Sequence, residues 1–133
     1  MNEKFNLIKE WFQKAEHDIA VVELSMKNDA TFTDVICFHC QQAAEKYLKG
    51  CLIFLDISFK KTHDLSYLLE LLNKQIQVDN IFFSYAEILN SFSVEIRYPD
   101  DWFEPTQEDV KEAYDISIKF KILIEEIIKK MEE

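Results

Sequence analysis

The stretch CFHCQQAAEKYLKG, residues 37–50, decides how the rest of the chain is read. Cys37 and Cys40 with His39 between them suggest a metal or redox site. The surrounding residues point instead to a helix. Ile36, Cys40, Ala43, Tyr47, Cys51 and Phe54 recur at steps of three and four, and Ala44, Leu48, Leu52 and Leu55 widen that apolar stripe. His39, Gln42, Lys46 and Lys49 form a polar stripe at the same spacing. The spacing predicts a helix from about Asp34 to Leu55, with Thr33 or Asp34 as its cap. On such a helix Cys37, Cys40 and Cys51 lie within about 60° of one another, but Cys51 is roughly 16 Å along the axis from Cys40. Three thiols so spread cannot hold one zinc ion, and no second Cys or His pair stands at finger spacing. The cysteines therefore read as small buried hydrophobes. Gly50, the only glycine, costs about 1 kcal/mol inside a helix relative to alanine. Its presence there points to close approach of another helix.

Working outward, Phe5, Ile8, Phe12, Ala15, Ile19, Val22 and Met26 mark a first helix, ended by the polar run KNDATFTD. After the loop DISFKKT, Thr62 is the expected cap of a third helix carrying Leu65, Leu68, Leu69, Leu72 and Ile76. Ile81, Tyr85, Ile88, Leu89 and Phe92 mark a fourth, expected to end near Tyr98 because Pro99 disfavours helical geometry in the residue before it. A fifth carries Val110, Ala113, Ser117, Phe120, Ile124, Ile127 and Met131, with acids in its first turns and lysines at its end, as the helix dipole favours. The expected fold is all-α: an up-and-down bundle of about five helices in a single domain, residues 1–133, with the first, second and fifth supplying most of the core.

Composition agrees. Of 133 residues 48% are hydrophobic, enough for one core, and two prolines with a single glycine leave too few turn residues for a strand-rich protein. The net charge of −10 disfavours nucleic acid and anionic membranes as partners. The charge is uneven, with residues 95–115 strongly acidic and residues 45–63, which hold Lys46, Lys49, Lys60 and Lys61, locally basic. No apolar run approaches the ~20 residues of a membrane span, and charges interrupt the N-terminal segment where a signal peptide would need an apolar core. With three cysteines in a helical chain, the expectation is a cytoplasmic protein.

Several chemistries find no support. None of His17, His39 and His63 has a glutamate three residues earlier, as di-iron bundles require. One glycine cannot make a phosphate loop, no nucleophile stands in a recognisable turn, and DDWFEPTQED lacks the calcium-loop pattern. No cofactor and no metal are expected.

Four elements together carry a resemblance: WFQKAEHDI (11–19), FHCQQAAEKYLKG (38–50), KTHDLSYLL (61–69) and EIRYPD (95–100). In this order and spacing the chain resembles the HEPN domain family, in its Arg-Tyr-Pro-Asp-containing prokaryotic branch. The resemblance implies a helical bundle, commonly a homodimer, often encoded beside a minimal nucleotidyltransferase. Some members are toxins of toxin–antitoxin pairs that cut RNA without metal; others are nucleotide-binding or scaffold modules. The RNA-cutting members carry an arginine followed, after four to six intervening residues, by a histidine. Arg97 matches the arginine, but the histidine positions hold Trp102, Phe103 and Glu104, none of which can exchange a proton as imidazole does. The expectation is a non-catalytic, dimeric interaction module that associates with a nucleotidyltransferase and binds nucleotide. The alternatives are a ribonuclease in which His63 replaces the absent histidine, and a purely structural dimer in which Trp11, Trp102 and Phe103 supply contacts.

The phosphate-binding candidates are Lys46, Lys49, His63 and Arg97; His39, Gln42, Asp64 and Tyr98 are structural polar candidates, and His17 is expected at the surface. Each has a plainer role beside it. The lysines pair with Glu45 or face solvent, His63 and Asp64 finish the start of the third helix, and Arg97 binds carbonyls at the end of the fourth. The wide apolar faces of the second and fifth helices lead to the expectation of a homodimer.

Overall fold

Asn2 starts the first helix by accepting the Lys4 N–H at 2.9 Å on its side chain, and Asn28 stops it, donating through its side chain to the Leu24 carbonyl at 2.9 Å. In the computed structural model, which describes residues 2–28, 32–93 and 104–132, this is α1, Glu3–Lys27. It is followed by α2 (Thr33–Phe54), α3 (Leu65–Asn73), α4 (Ile81–Asn90) and α5 (Gln107–Glu132). The described residues contain no strand.

The boundaries differ from the sequence expectation where side chains from elsewhere intervene. Neither Thr33 nor Asp34 caps α2: the cap is Phe32, which makes no side-chain hydrogen bond, and Thr33 is already helical and buried. Asp34 sits in the first turn, where its charge suits the dipole. At the other end Ile57 N–H reaches the Leu52 carbonyl at 2.8 Å and Asp56 N–H the Ile53 carbonyl at 3.0 Å. This is a Schellman closure, with Asp56 at φ 59° in the position glycine usually fills.

Asp64, not Thr62, caps α3, accepting from Ser66 and Tyr67, while the Thr62 hydroxyl accepts the Asp64 N–H. Asn90 fixes that choice: its side chain accepts the Leu65 N–H at 2.9 Å and donates to Asp64 at 3.0 Å. α4 itself ends at Asn90, well short of Tyr98. Ser91 Oγ bonds the Ile88 carbonyl, and Phe92 and Ser93 turn back on Leu89 and Asn90. Phe92 thus lies past the helix, as Ile76 lies past α3, yet both pack against the core. Thr106 and Asp109 bond reciprocally at the start of α5, a capping box with Asp in place of Glu.

α2 is the central rod and packs against the other four helices. Asp18 meets Lys46 and Glu16 meets Tyr47, so α1 runs antiparallel to α2; Glu23 meets Tyr114 and Glu16 meets Lys121, so α5 also runs antiparallel to α1. Phe120, fully buried on α5, meets Phe82 of α4 edge-on at 5.2 Å between ring centroids. Phe5, Met26 and Met131 extend the predicted stripes beyond the packed region and are exposed.

Gly50 lets α1 approach. A Cβ there would stand 2.5 Å from Cε1 of Phe12, inside contact distance. Gly50→Ala gains about 1 kcal/mol of helix propensity but must displace that ring. Gly50→Val drives further in and is expected to cost about 2–3 kcal/mol of stability by denaturant unfolding. Trimming Phe12 to alanine in the same chain should then cost less than it does alone, because the two side chains share one space.

Candidate functional site

The polar stripe of α2 is half-buried, and two carboxylates organise it. Asp18 of α1 is 6% exposed; it lies among Ala15, Ile19 and Val22, where an ion needs a partner. It has two: Lys46 Nζ at 2.6 Å and His39 Nδ1 at 2.8 Å. Glu45 of α2 is 3% exposed and does the same one turn away, holding Lys49 Nζ at 3.1 Å and His63 Nδ1 at 2.9 Å. Gln41, fully buried, donates to Glu45 at 3.2 Å and to the His63 carbonyl at 3.0 Å, pinning the loop before α3 to α2. Gln42 donates to Gln41 and to Glu45. Among the described residues no buried side-chain nitrogen or oxygen lacks a partner.

Each cluster is one carboxylate, one lysine and one imidazole. A carboxylate can only accept, so each Nδ1 is the donor, and the imidazoles are held in a fixed tautomer and orientation. Lys49 is 5% exposed and lies over the rings of Trp11 and Phe59, at 5.4 and 6.0 Å from their centroids.

The structure therefore brings together Lys46, Lys49, His39, Gln42 and His63, but it pairs the cations with carboxylates of their own chain. The plainer reading of the lysines, pairing with Glu45, describes Lys49; Lys46 pairs with Asp18. Asp64 caps α3, and His17 is exposed. Arg97 and Tyr98 lie outside the described residues, as do Pro99, Trp102 and Phe103. Sequence reasoning assigned no role to Asp18 or Gln41. The signal in the sequence is an acid at the edge of the apolar stripe of α1, next to Ala15, Ile19 and Val22.

The thiols have no part in this. Burial pushes Cys37, Cys40 and Cys51 up to about 12, so they remain protonated. Burial, then the hydrogen bond to Glu16, raises the Tyr47 phenol, and the hydrogen bond to Glu23 leads in raising Tyr114. No group of three metal-ligating side chains stands close enough to hold an ion among the described residues, and no helix there is long and apolar enough to cross a membrane.

A second feature of this side is apolar. Leu7, Trp11, Lys14, Asp18 and Val21 follow one face of α1; Val35, His39, Gln42, Lys46, Lys49 and Ile53 follow one face of α2. The contacts of Asp18 and Trp11 with α2 join these into one surface. Leu7, Val21 and Val35 are 44%, 41% and 47% exposed. The apolar stripes of α2 and α5, by contrast, are covered within the chain except at their ends and at Ile122, so the surplus apolar surface lies largely on α1 and the start of α2.

A family model described as HEPN domain matches residues 8–130. An archaeal HEPN homologue of known structure is similar at 25% identity, covering 91% of this chain and 97% of its own, with a TM-score of 0.74. The crystal structure of TT1696 from Thermus thermophilus is similar at 26% identity, covering 90% of this chain and 96% of its own, with a TM-score of 0.77. No curated protein matches the sequence.

Proposed function

Because the chain belongs to the HEPN domain family, we propose that it is a non-catalytic interaction module that works as a homodimer through the joint face of α1 and α2 and associates with a minimal nucleotidyltransferase. The observation that carries this reading is the internal pairing of the stripe's cations. Two chains of net charge −10 repel one another, so a second copy needs a face where charge is cancelled in place. On the α1–α2 face Asp18 and Glu45 are each matched by a lysine and an imidazole, with exposed Leu7, Val21 and Val35 beside them.

The same pairing argues against Lys46 and Lys49 as a phosphate grip, since each ammonium already holds a carboxylate of its own chain that an arriving phosphate would have to displace. Nucleotide binding, in this reading, falls to Arg97. Millimolar ATP is expected to give no calorimetric heat that depends on Lys46 or Lys49. RNA incubated with the protein in chelator is expected to stay intact, because Arg97 has no histidine at the family's spacing.

Light scattering tests the dimer. The expected result is twice the 15.8 kDa chain mass at micromolar protein. Val21→Glu with Val35→Glu places carboxylates in the seam without touching the core, and should weaken association at least about 100-fold. A wild-type monomer, or a dimer indifferent to both substitutions, would remove the proposal. Co-purification with the product of a neighbouring nucleotidyltransferase gene tests the partner.

A further inference from the structure

On the other flank of α1 a groove of about 270 Å³ runs between α1 and α5 over α2. Its floor is apolar and partly aromatic: Phe12, Tyr47, Ile124 and Ile128. Phe12 comes close to α2 there because Gly50 has no side chain. The rim is acidic, with Glu16, Glu125 and Glu132 against one lysine, Lys129. Glu16 accepts from the Tyr47 hydroxyl, and Glu16 and Glu125 both raise the Tyr47 phenol electrostatically, so two carboxylates converge at one end. Glu132 stands two helical turns from Glu125 on the same face of α5, roughly 10 Å along the axis.

An acidic rim excludes anions, and an apolar floor excludes a hydrated metal ion. The arrangement suits a cation whose charges are separated by methylenes: the carbon chain lies over Phe12 and Ile128, the two floor residues that keep part of their surface open, and the ammonium groups meet the rim carboxylates. The span between Glu125 and Glu132 is comparable to that between the end nitrogens of an extended triamine. We propose that this groove binds a linear aliphatic triamine. Lys121 already pairs with Glu16 at 3.1 Å, but with side chains 27% and 46% exposed that pair is a weak surface bridge that an incoming ammonium can open. The site uses none of the α1–α2 face assigned to a second copy, so it stands whether the chain is monomer or dimer.

The test is titration of the full chain with spermidine, followed by backbone amide shifts in NMR, with magnesium chloride as a divalent control. Saturable shifts confined to residues 12–16, 47 and 124–132 are expected. Glu16→Gln with Glu125→Gln should weaken them at least about tenfold; both residues are exposed, so the fold should persist. Shifts spread over the acidic surface and matched by magnesium, or unchanged in the double variant, would overturn the assignment.

Discussion

Replacing Glu45 with alanine is expected to lower the unfolding free energy by about 3–5 kcal/mol, the cost of leaving a buried charge without its partner. The carboxylate is 3% exposed and holds four groups: Lys49, His63, Gln41 and Gln42. Without it the Lys49 side chain, 5% exposed and covered by Trp11 and Phe59, has no anion and little water. The loop before α3 also loses the His63 contact. Asp18→Ala should cost less, because Lys46 and His39 have side chains 19% and 27% exposed and can turn to solvent. Exchanging both members of the Glu45–Lys49 pair for methionine should recover most of the loss, since removing the pair together leaves no orphaned charge. Urea unfolding followed by circular dichroism measures all four proteins. A Glu45→Ala loss below about 1 kcal/mol would show that water reaches Lys49 and that the pair is effectively a surface one.

What was legible in the sequence divides at the range of the interaction. The existence of α2 follows from its own apolar stripe, and the lone glycine in that stripe signals a close approach. That the ring approaching is Phe12 does not, because nothing local names it. Helix ends were the least legible. Thr62 and Asp64 are both good caps, and the choice was made by Asn90, which arrives from the end of α4. The site divides the same way. Glu45 and Lys49 are four apart on one helix, so their pairing could be weighed from spacing alone. Lys46 looked available to a phosphate because its partner, Asp18, belongs to another helix. A stripe of cations shows a face; whether they are free depends on acids brought in by the fold.

The buried thiols make a second large effect, at alkaline pH. An ordinary cysteine titrates near 9.0, whereas burial holds Cys37, Cys40 and Cys51 up to about 12 in the folded chain. The unfolded state therefore releases these protons first. The stability they contribute is complete below pH 9 and is lost as pH rises toward 12. One pH unit corresponds to about 1.4 kcal/mol per thiol, so by pH 10.5 the three together should remove several kcal/mol, on the order of 1–2 each. Tyr47, whose phenol is also raised, adds loss in the same direction above pH 10.0. Denaturant unfolding from pH 7 to 11 should show stability falling steeply above pH 9. Cys37→Ala, Cys40→Ala and Cys51→Ala combined should start lower at pH 7, because each leaves a small cavity, but should fall with a shallower slope. The difference in slope, not in starting value, is the signature of the thiols, because lysine and tyrosine titrations are common to both proteins. Native protein at pH 8 should correspondingly resist a maleimide until denaturant is added. Parallel pH profiles, or alkylation of the folded chain within minutes, would mean that solvent reaches these sulfurs and that the α2–α5 interface opens far more readily than its packing implies.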